Sequence, residues 1–206
     1  MNSVVTEDSL ACDAFRGLFV DNCLSGLTWH DAPVEGTLLS VDTLRGPLPG
    51  ASDAYTRGGD RVTTHAPSEA FPFQTQLLWS AAKVAGGVAV TLTVSLQTDL
   101  LDSQPNLALV TQLPGVSPRR RGPDALRFDL PKCATLLLTP HPSDTPECAA
   151  VLEGERGVLK LSPPFLEKGV IRRCRVAAIW LPADSDDAAI EAALADFADQ
   201  PLPLTT

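Results

Sequence analysis

A ten-residue segment with alternating apolar and polar side chains places the strongest limit on the fold. Its apolar positions are Val88, Val90, Leu92, Val94 and Leu96, and its polar positions are Thr91, Thr93, Ser95 and Gln97. Because successive side chains of a strand point to opposite faces, this pattern predicts an antiparallel strand with one buried face and one wet face.

Turn residues divide most of the remaining chain into short segments of the same kind. Gln74–Val84 precedes the alternating segment, and the Gly86–Gly87 pair can supply the positive φ of a tight hairpin turn. Gly58 and Gly59 give a second hairpin signal between Ala54–Arg57 and Arg61–His65. Further strands are predicted at Thr37–Leu44, Leu107–Leu113, Ala125–Leu130, Ala134–Thr139, Cys148–Leu152, Gly157–Leu161 and Val170–Leu181. About ten strands at this spacing predict an all-β, mainly antiparallel fold, a large β-sandwich in preference to a barrel.

One segment near the C-terminus has helical periodicity instead. Over residues 185–199, apolar side chains recur at Ile190, Ala193, Leu194 and Phe197, which form one stripe on a helix. Asp184 or Ser185 can cap its start. We expect this C-terminal helix to pack on an edge or over one end of the sandwich, followed by a tail at 200–206. A short helix is also predicted near residues 10–20.

Length, charge and hydropathy limit the classes of protein that fit. The chain has 206 residues, of which 44% are hydrophobic, enough for a single sandwich domain over 1–206. Its net charge is −9, which disfavours nucleic-acid binding, although residues 104–183 carry an excess of basic side chains. No uncharged run is long enough to cross a bilayer, and acidic residues precede the first basic one. We therefore expect a soluble cytoplasmic protein without membrane contact.

Cysteine spacing and the known cofactor motifs point to neither a disulfide framework nor a cofactor. The cysteines are odd in number and widely separated, which favours buried free thiols; they are Cys12, Cys23, Cys133, Cys148 and Cys174. His141 lies between Cys133 and Cys148, but this spacing matches no structural zinc pattern. Phosphate-binding glycine motifs and the common hydrolase and metalloprotease motifs are absent. We predict no cofactor and no metal.

The densest polar segment, Tyr55–His65, is the first candidate for a ligand site. In a hairpin, Arg57 and His65 would lie near Asp60, where an arginine and an acid can bind a hydroxylated or anionic ligand. The alternative is a solvated hairpin whose charges pair weakly across the strands.

Trp29 and His30 are the second candidate for a ligand site. Aromatic faces can stack on sugar rings, and Trp29 is followed by polar residues, so we expect it to be exposed. Trp79 and Trp180 lie within apolar runs and are predicted to pack in the core.

Several short stretches together resemble a family of bacterial β-rich proteins that has no assigned activity. These stretches are Tyr55–Asp60 (Y-x-R-G-x-D), Thr98–Pro105 with its Leu-Leu-Asp-Ser core, Phe165–Val176 with Glu-Lys-Gly-Val-Ile-Arg-Arg, and Leu202–Thr205. The resemblance covers about a sixth of the chain and implies a β fold and a bacterial source. In its two-layer form, the predicted architecture also resembles the supersandwich of aldose-epimerase-like proteins.

The sequence therefore predicts a non-catalytic binding or interaction module whose ligand is a carbohydrate or another protein, with Arg57, Asp60, His65, Trp29 and His30 as candidate binding residues. One alternative is a sugar-modifying enzyme of the epimerase or lyase type, using His65 or His30 with a nearby carboxylate. Another is an assembly subunit, for example a homodimer in which the acidic helix meets the basic middle section of a second copy.

Overall fold

The computed structural model describes residues 4–163 and 165–201, and this part of the chain forms two antiparallel sheets followed by one α-helix. The strands are β1 (Val4–Val5), β2 (Ser9–Cys12), β3 (Phe15–Val20), β4 (Cys23–Trp29), β5 (Ala32–Val34), β6 (Thr37–Thr43), β7 (Gly46–Pro47), β8 (Asp53–Arg57), β9 (Asp60–His65), β10 (Gln74–Val84), β11 (Gly87–Gln97), β12 (Leu107–Gln112), β13 (Arg119–Arg121), β14 (Ala125–Leu130), β15 (Ala134–Pro140), β16 (Cys148–Glu153), β17 (Arg156–Leu161) and β18 (Arg172–Pro182). A short 3-10 helix spans Pro142–Glu147, and helix α1 spans Asp187–Ala198.

The two sheets use the strands in different orders. The ten-stranded sheet runs β1-β2-β3-β4-β6-β12-β17-β16, with β5 beside β4 and β7 beside β6. The eight-stranded sheet runs β13-β14-β15-β18-β11-β10-β9-β8. Apolar side chains from both sheets form one buried cluster, as expected when two sheets pack face to face. The predicted antiparallel β-sandwich is confirmed.

The alternating segment forms β11, but both of its faces are buried. Thr91 and Thr93, expected on a wet face, are almost completely buried. Ala89 lies on the same side of the strand and packs in a second apolar cluster together with Ile190 and Phe197 of α1. The prediction of one wet face is wrong because the helix covers the outer side of this part of the sheet.

Helix α1 covers a sheet face and does not pack on an edge. The predicted cap, Asp184 or Ser185, is wrong: Asp186 caps the start of the helix, and its side chain accepts a hydrogen bond from the Ala189 N–H at 2.8 Å. The buried side chains of the helix pack on Ala177, Ile179 and Leu181, which lie on the outer side of β18. This outer face is apolar, so a helix has to cover it. The predicted tail falls mostly on residues 202–206, outside the described residues.

The prediction of a second helix near residues 10–20 is wrong. This part of the chain forms the β2–β3 hairpin, which turns at Asp13 with a φ of 51°. Asp tolerates the left-handed region better than most residues, so the turn is compatible with the sequence. Among the residues that the structure describes, no helix is long and apolar enough to cross a membrane.

Two arginine side chains from elsewhere in the chain contact the two ends of α1. The Arg121 guanidinium contacts Asp187 at 2.9 Å and Glu191 at 2.7 Å. At the other end, the buried Arg175 donates to the carbonyl of Gln200 at 3.0 Å, which satisfies a backbone acceptor just beyond the helix. The acidic face of the helix thus meets part of the basic middle section within one copy. Asp187 and Glu191 pair with Arg121 within one copy, whereas the homodimer hypothesis paired this face with a second copy.

The β10–β11 hairpin contains a position that only glycine can occupy without a clash. A Cβ atom built at Gly87 would fall on the carbonyl oxygen of Trp180 and lie 2.7 Å from Leu181 Cδ2. We expect Gly87→Ala to lower the free energy of unfolding by about 1–3 kcal/mol, as in other overpacked cores. Gly50→Ala is the matched control, because a Cβ there has no neighbour within 4 Å, and it should change stability by no more than about 0.5 kcal/mol. Urea unfolding of both variants tests this, and equal midpoints would contradict it.

Candidate functional site

A cleft of about 320 Å³ opens at one end of the sandwich. Three separate segments line it, and they come from both sheets. They are the turn after β6 (Thr43–Arg45), the segment before β10 (Glu69–Phe73), and Ser103, Gln104 and Asn106 in the loop between β11 and β12. A volume of this size lies at the lower end of the range for small-molecule sites in proteins.

Two aromatic side chains belong to the apolar part of the cleft, together with Leu44, Ala70 and Pro72. Phe71 and Phe73 are buried, and their ring centroids lie 5.0 Å apart. The Ser68 hydroxyl accepts a hydrogen bond from the Phe71 N–H at 3.1 Å, and the Thr98 hydroxyl donates to the Pro72 carbonyl at 2.9 Å. These hydrogen bonds fix the segment in place, so the apolar surface is preformed.

The polar lining residues divide into occupied and uncommitted groups. The Thr43 hydroxyl donates to the Gly46 carbonyl at 2.9 Å, and the Asn106 side-chain oxygen accepts from the Ser162 hydroxyl at 3.1 Å. Within residues 4–163 and 165–201, the side chains of Arg45, Glu69 and Gln104 make no hydrogen bond or ion pair, and all three residues are exposed.

The three uncommitted side chains have complementary chemistry. A guanidinium only donates hydrogen bonds, an ionised carboxylate only accepts them, and a primary amide does both. A sugar hydroxyl also donates and accepts, and the carbon skeleton of a sugar ring presents apolar faces. The rim therefore offers both donors and acceptors to a polyhydroxylated ligand, while the buried Phe71 and Phe73 rings support the apolar floor of the cleft.

The candidate ligand-binding residues predicted from the sequence do not form one site. The predicted β8–β9 hairpin is confirmed, with Arg57 paired to Asp60 across the turn. Arg57 is exposed, whereas Asp60 is partly buried, and burial raises the pKa of its carboxyl group. His65 is five residues farther along β9, about 16 Å from Asp60 at 3.3 Å per residue. The structure does not bring these residues to one point, and their role in ligand binding stays a prediction.

His65 is a buried residue with both ring nitrogens engaged. Its side chain is 1% exposed; Nδ1 lies 2.7 Å from the Pro49 carbonyl oxygen, and Nε2 lies 3.0 Å from the Thr63 hydroxyl. The carbonyl can only accept, so Nδ1 donates and Nε2 accepts from Thr63. Burial lowers the pKa of the imidazole, which keeps it neutral in the folded protein.

Trp29 is buried, so the expectation that it would be exposed is wrong. It is 3% exposed, and its ring stacks on Trp180 with centroids 6.0 Å apart. Trp29 is the last residue of β4, and the turn to β5 follows at His30 and Asp31, both with positive φ. The ring belongs to the inner face of the sheet, whereas the polar residues that suggested exposure belong to the turn.

His30 lines a shallower pocket of about 230 Å³ together with Asp13, Arg16 and Asp31. The pocket lies between two hairpin turns that are joined by a hydrogen bond from the His30 N–H to the Ala14 carbonyl at 2.9 Å. Asp13 contacts Lys83 at 2.8 Å, and this hydrogen bond lowers the pKa of Asp13. Among the described residues, no hydrogen bond joins His30 to a carboxylate.

A third cavity, of about 240 Å³, lies beside the β8–β9 hairpin. Tyr55 and Arg61 line it together with Glu7 and Asp8. The Arg61 guanidinium lies 4.4 Å from the centroid of the Phe19 ring, and burial lowers its pKa. Within the part of the chain that the structure describes, no cavity or surface gathers three or more metal-ligating residues into a metal site.

The buried state of His65 predicts a pH dependence of stability. Because burial lowers the folded-state pKa below its ordinary value of about 6.5, protons bind preferentially to the unfolded chain below that pH. We expect the free energy of unfolding to fall as the pH drops from 6.5 toward 5, with a slope of up to about 1.4 kcal/mol per pH unit from this group.

Unfolding curves of wild type, His65→Asn and His30→Asn across this range isolate the contribution of His65. The slope attributable to His65 should disappear in His65→Asn and persist in His30→Asn, which changes an exposed histidine. Equal slopes in wild type and His65→Asn would contradict the assignment.

Comparison with known proteins shows a likeness of fold. No family model matches the sequence, and no curated protein matches it. Among the solved structures that match is a protein described as "Putative kojibiose phosphorylase from human microbiome", with a TM-score of 0.52 and 11% sequence identity. The match covers 95% of this chain and 32% of that one, so this chain spans about a third of its length. At this identity, the shared feature is the two-sheet β fold.

Proposed function

We propose that the protein is a non-catalytic carbohydrate-binding module whose ligand occupies the cleft at the end of the sandwich. The observation that carries the proposal is the set of three uncommitted polar side chains, Arg45, Glu69 and Gln104, around a preformed aromatic surface. Specific small-molecule sites combine an apolar lining with a few polar groups that fix orientation. Uncommitted groups can bind a ligand without first breaking hydrogen bonds inside the protein.

The structural neighbour supports a carbohydrate as the class of ligand. Its description names kojibiose, a disaccharide, and the shared fold extends over 95% of this chain. The match covers only 32% of that protein, so its activity is not assigned to this chain. A fold alone does not determine function, and the chemistry of the cleft remains the main support.

The enzyme alternative has less support from the same geometry. The mechanism expected from the sequence pairs a histidine with a carboxylate, both within hydrogen-bond reach of the reacting group. Glu69 supplies a carboxylate in the cleft, but none of the described residues that line the cleft is a histidine. His65 is buried, and both of its ring nitrogens are engaged by Pro49 and Thr63. His30 is exposed beside carboxylates but is not hydrogen-bonded to one within the described ranges. Binding in the cleft accounts for more of the observed arrangement than catalysis does.

The test is a titration calorimetry panel of kojibiose, other glucose disaccharides, glucose and glucuronic acid. We expect at least one of these sugars to bind wild type, and Arg45→Ala, Glu69→Ala and Gln104→Ala each to raise its Kd about tenfold or more. Arg57→Ala is the matched control, because it removes an exposed arginine in the hairpin that the sequence favoured. Its Kd should equal that of wild type.

Two results would contradict the cleft proposal. Failure of every sugar to bind would exclude this class of ligand over the range tested. Loss of binding in Arg57→Ala with normal binding in Arg45→Ala would move the ligand from the cleft to the β8–β9 hairpin.

A specific surface feature favours self-assembly as a second candidate function. Two loops next to the cleft are joined by hydrogen bonds between Ser103 and Leu166 and between Gly169 and Thr98. They expose large apolar side chains, namely Leu100, Leu101, Phe165, Val170 and Ile171. Charged residues of both signs adjoin these apolar residues in the chain: Asp99 and Glu167 are acidic, and Lys168 and Arg172 are basic. A surface with both signs can pair with itself across a two-fold axis, so the occupant we assign to it is a second copy of this chain.

Sedimentation velocity over a range of concentrations tests this second candidate. We expect wild type to form dimers and Leu101→Asp/Ile171→Asp to remain monomeric, because each copy would place two carboxylates in an apolar interface. Val4→Asp is the control, since it adds a charge at an exposed apolar position elsewhere, and it should dimerise normally. A wild-type protein that is monomeric at the highest concentration would overturn the proposal.

A further inference from the structure

Two of the five cysteines meet between the sheets. Cys148 is the first residue of β16 in the ten-stranded sheet, and Cys174 lies in β18 of the eight-stranded sheet. They are 1% and 6% exposed, and both belong to the apolar core that the two sheets share. A hydrogen bond with the Cys148 side chain is the first cause of the raised pKa of the Cys174 thiol, and burial is the second. Cys174 also lines a small gap together with Glu147, which precedes Cys148, and Leu161, which pairs with Cys148 across β16 and β17. The two thiol groups are therefore neighbours.

Two hydrogen bonds brace the backbone on one side of this pair. The His141 N–H donates to the Arg175 carbonyl at 2.8 Å, and the Arg175 N–H donates to the Asp144 carboxylate at 2.7 Å. These hydrogen bonds tie the segment that leads into Cys148 to the strand that carries Cys174. A disulfide tolerates little displacement, with Cβ atoms about 3.5–4.5 Å apart, so such bracing favours bond formation without movement of the sheets.

The other cysteines lack a thiol neighbour within the part of the chain that the structure describes. Burial is the main cause of the raised pKa of Cys12, Cys23 and Cys133, and no second thiol acts on any of them. Cys23 and Cys133 are more accessible than the other three. If accessibility alone governed oxidation, these two residues would react first.

We propose that Cys148 and Cys174 form a disulfide between the two sheets when the chain folds in the presence of a small-molecule disulfide such as oxidised glutathione. One cysteine thiolate attacks the S–S bond of oxidised glutathione, which gives a mixed disulfide and releases one glutathione thiolate. The second protein thiolate attacks the protein sulfur of the mixed disulfide and releases the other. The two protons lost by the cysteines protonate the two glutathione thiolates, and the two electrons reduce the glutathione disulfide.

Because both thiols are buried in the folded protein, we expect the disulfide to form during folding. Only the thiolate is an effective nucleophile, and the raised pKa of Cys174 keeps it protonated once the core has closed. In the unfolded chain both thiols are solvated and have ordinary pKa values. The native contacts then favour the Cys148–Cys174 pair among the ten pairings open to five cysteines.

The experiment is refolding of the full, reduced chain in a buffer of oxidised and reduced glutathione. Free thiols are alkylated, and the cross-linked peptides are mapped by mass spectrometry. We expect a protein lighter by two hydrogen atoms, one peptide pair joining residue 148 to residue 174, and three alkylated cysteines. The oxidised protein should melt about 5–10 °C above the reduced one, because the bridge closes a loop of moderate length.

Matched variants separate this bridge from general oxidation. Cys174→Ala should lose both the cross-link and the difference in melting temperature between oxidised and reduced protein. Cys133→Ala, which removes a more accessible cysteine, should keep both. A wild-type protein that carries only glutathione adducts, or a cross-link through Cys12, Cys23 or Cys133, would overturn the proposal. The cross-link is mapped on the wild-type chain, so the proposal is tested even where a variant folds poorly.

Discussion

Burial of three central strands on both faces is the constraint on which the rest of this structure depends. Along β18, the side chains of Val176, Ala178 and Trp180 point into the core between the sheets, while Ala177 and Ile179 point outward. An apolar outer face of this kind is unstable in water, and helix α1 covers it. The ion pairs of Arg121 and the contacts of Arg175 fix the helix in position. The sandwich therefore has three layers where α1 covers β11, β15 and β18.

The strands were predictable because their signal is local. A period of two needs only the chemistry of successive side chains, and a hairpin such as that of β10 and β11 needs only turn residues between two such segments. Residues 10–20 were misjudged because their spacing of apolar residues fits a short helix as well as two strands. The wet face predicted for β11 failed for a different reason. Threonine tolerates both solvent and a close-packed sheet, so only the position of α1 decides whether Thr91 and Thr93 are buried.

The candidate site was less predictable because sheet topology assembles it. Arg45, Glu69 and Gln104 are far apart in the sequence, and each appears there as an ordinary polar loop residue. They line one cleft because β6 and β12 are paired in one sheet while the segment before β10 belongs to the other. The hairpin around Asp60, by contrast, concentrates polar residues in the sequence, and this density made it the stronger prediction. The turn residues at 102–105 and the resemblance over Thr98–Pro105 both include the loop that carries Gln104, but neither implies a binding role for it.

The charges on the outermost strands determine where another polypeptide could extend either sheet. The eight-stranded sheet ends in β13, which consists of three arginines, and in β8, whose terminal residues are Asp53 and Arg57. Charged outer strands resist the addition of a foreign strand, because the incoming backbone would have to desolvate them. At the β16 end of the ten-stranded sheet, the sequence Cys-Ala-Ala-Val-Leu-Glu has a single charge at its last position. Of these three edges, backbone pairing with a second chain, whether in a designed fusion or in an aggregate, is therefore most favourable along β16.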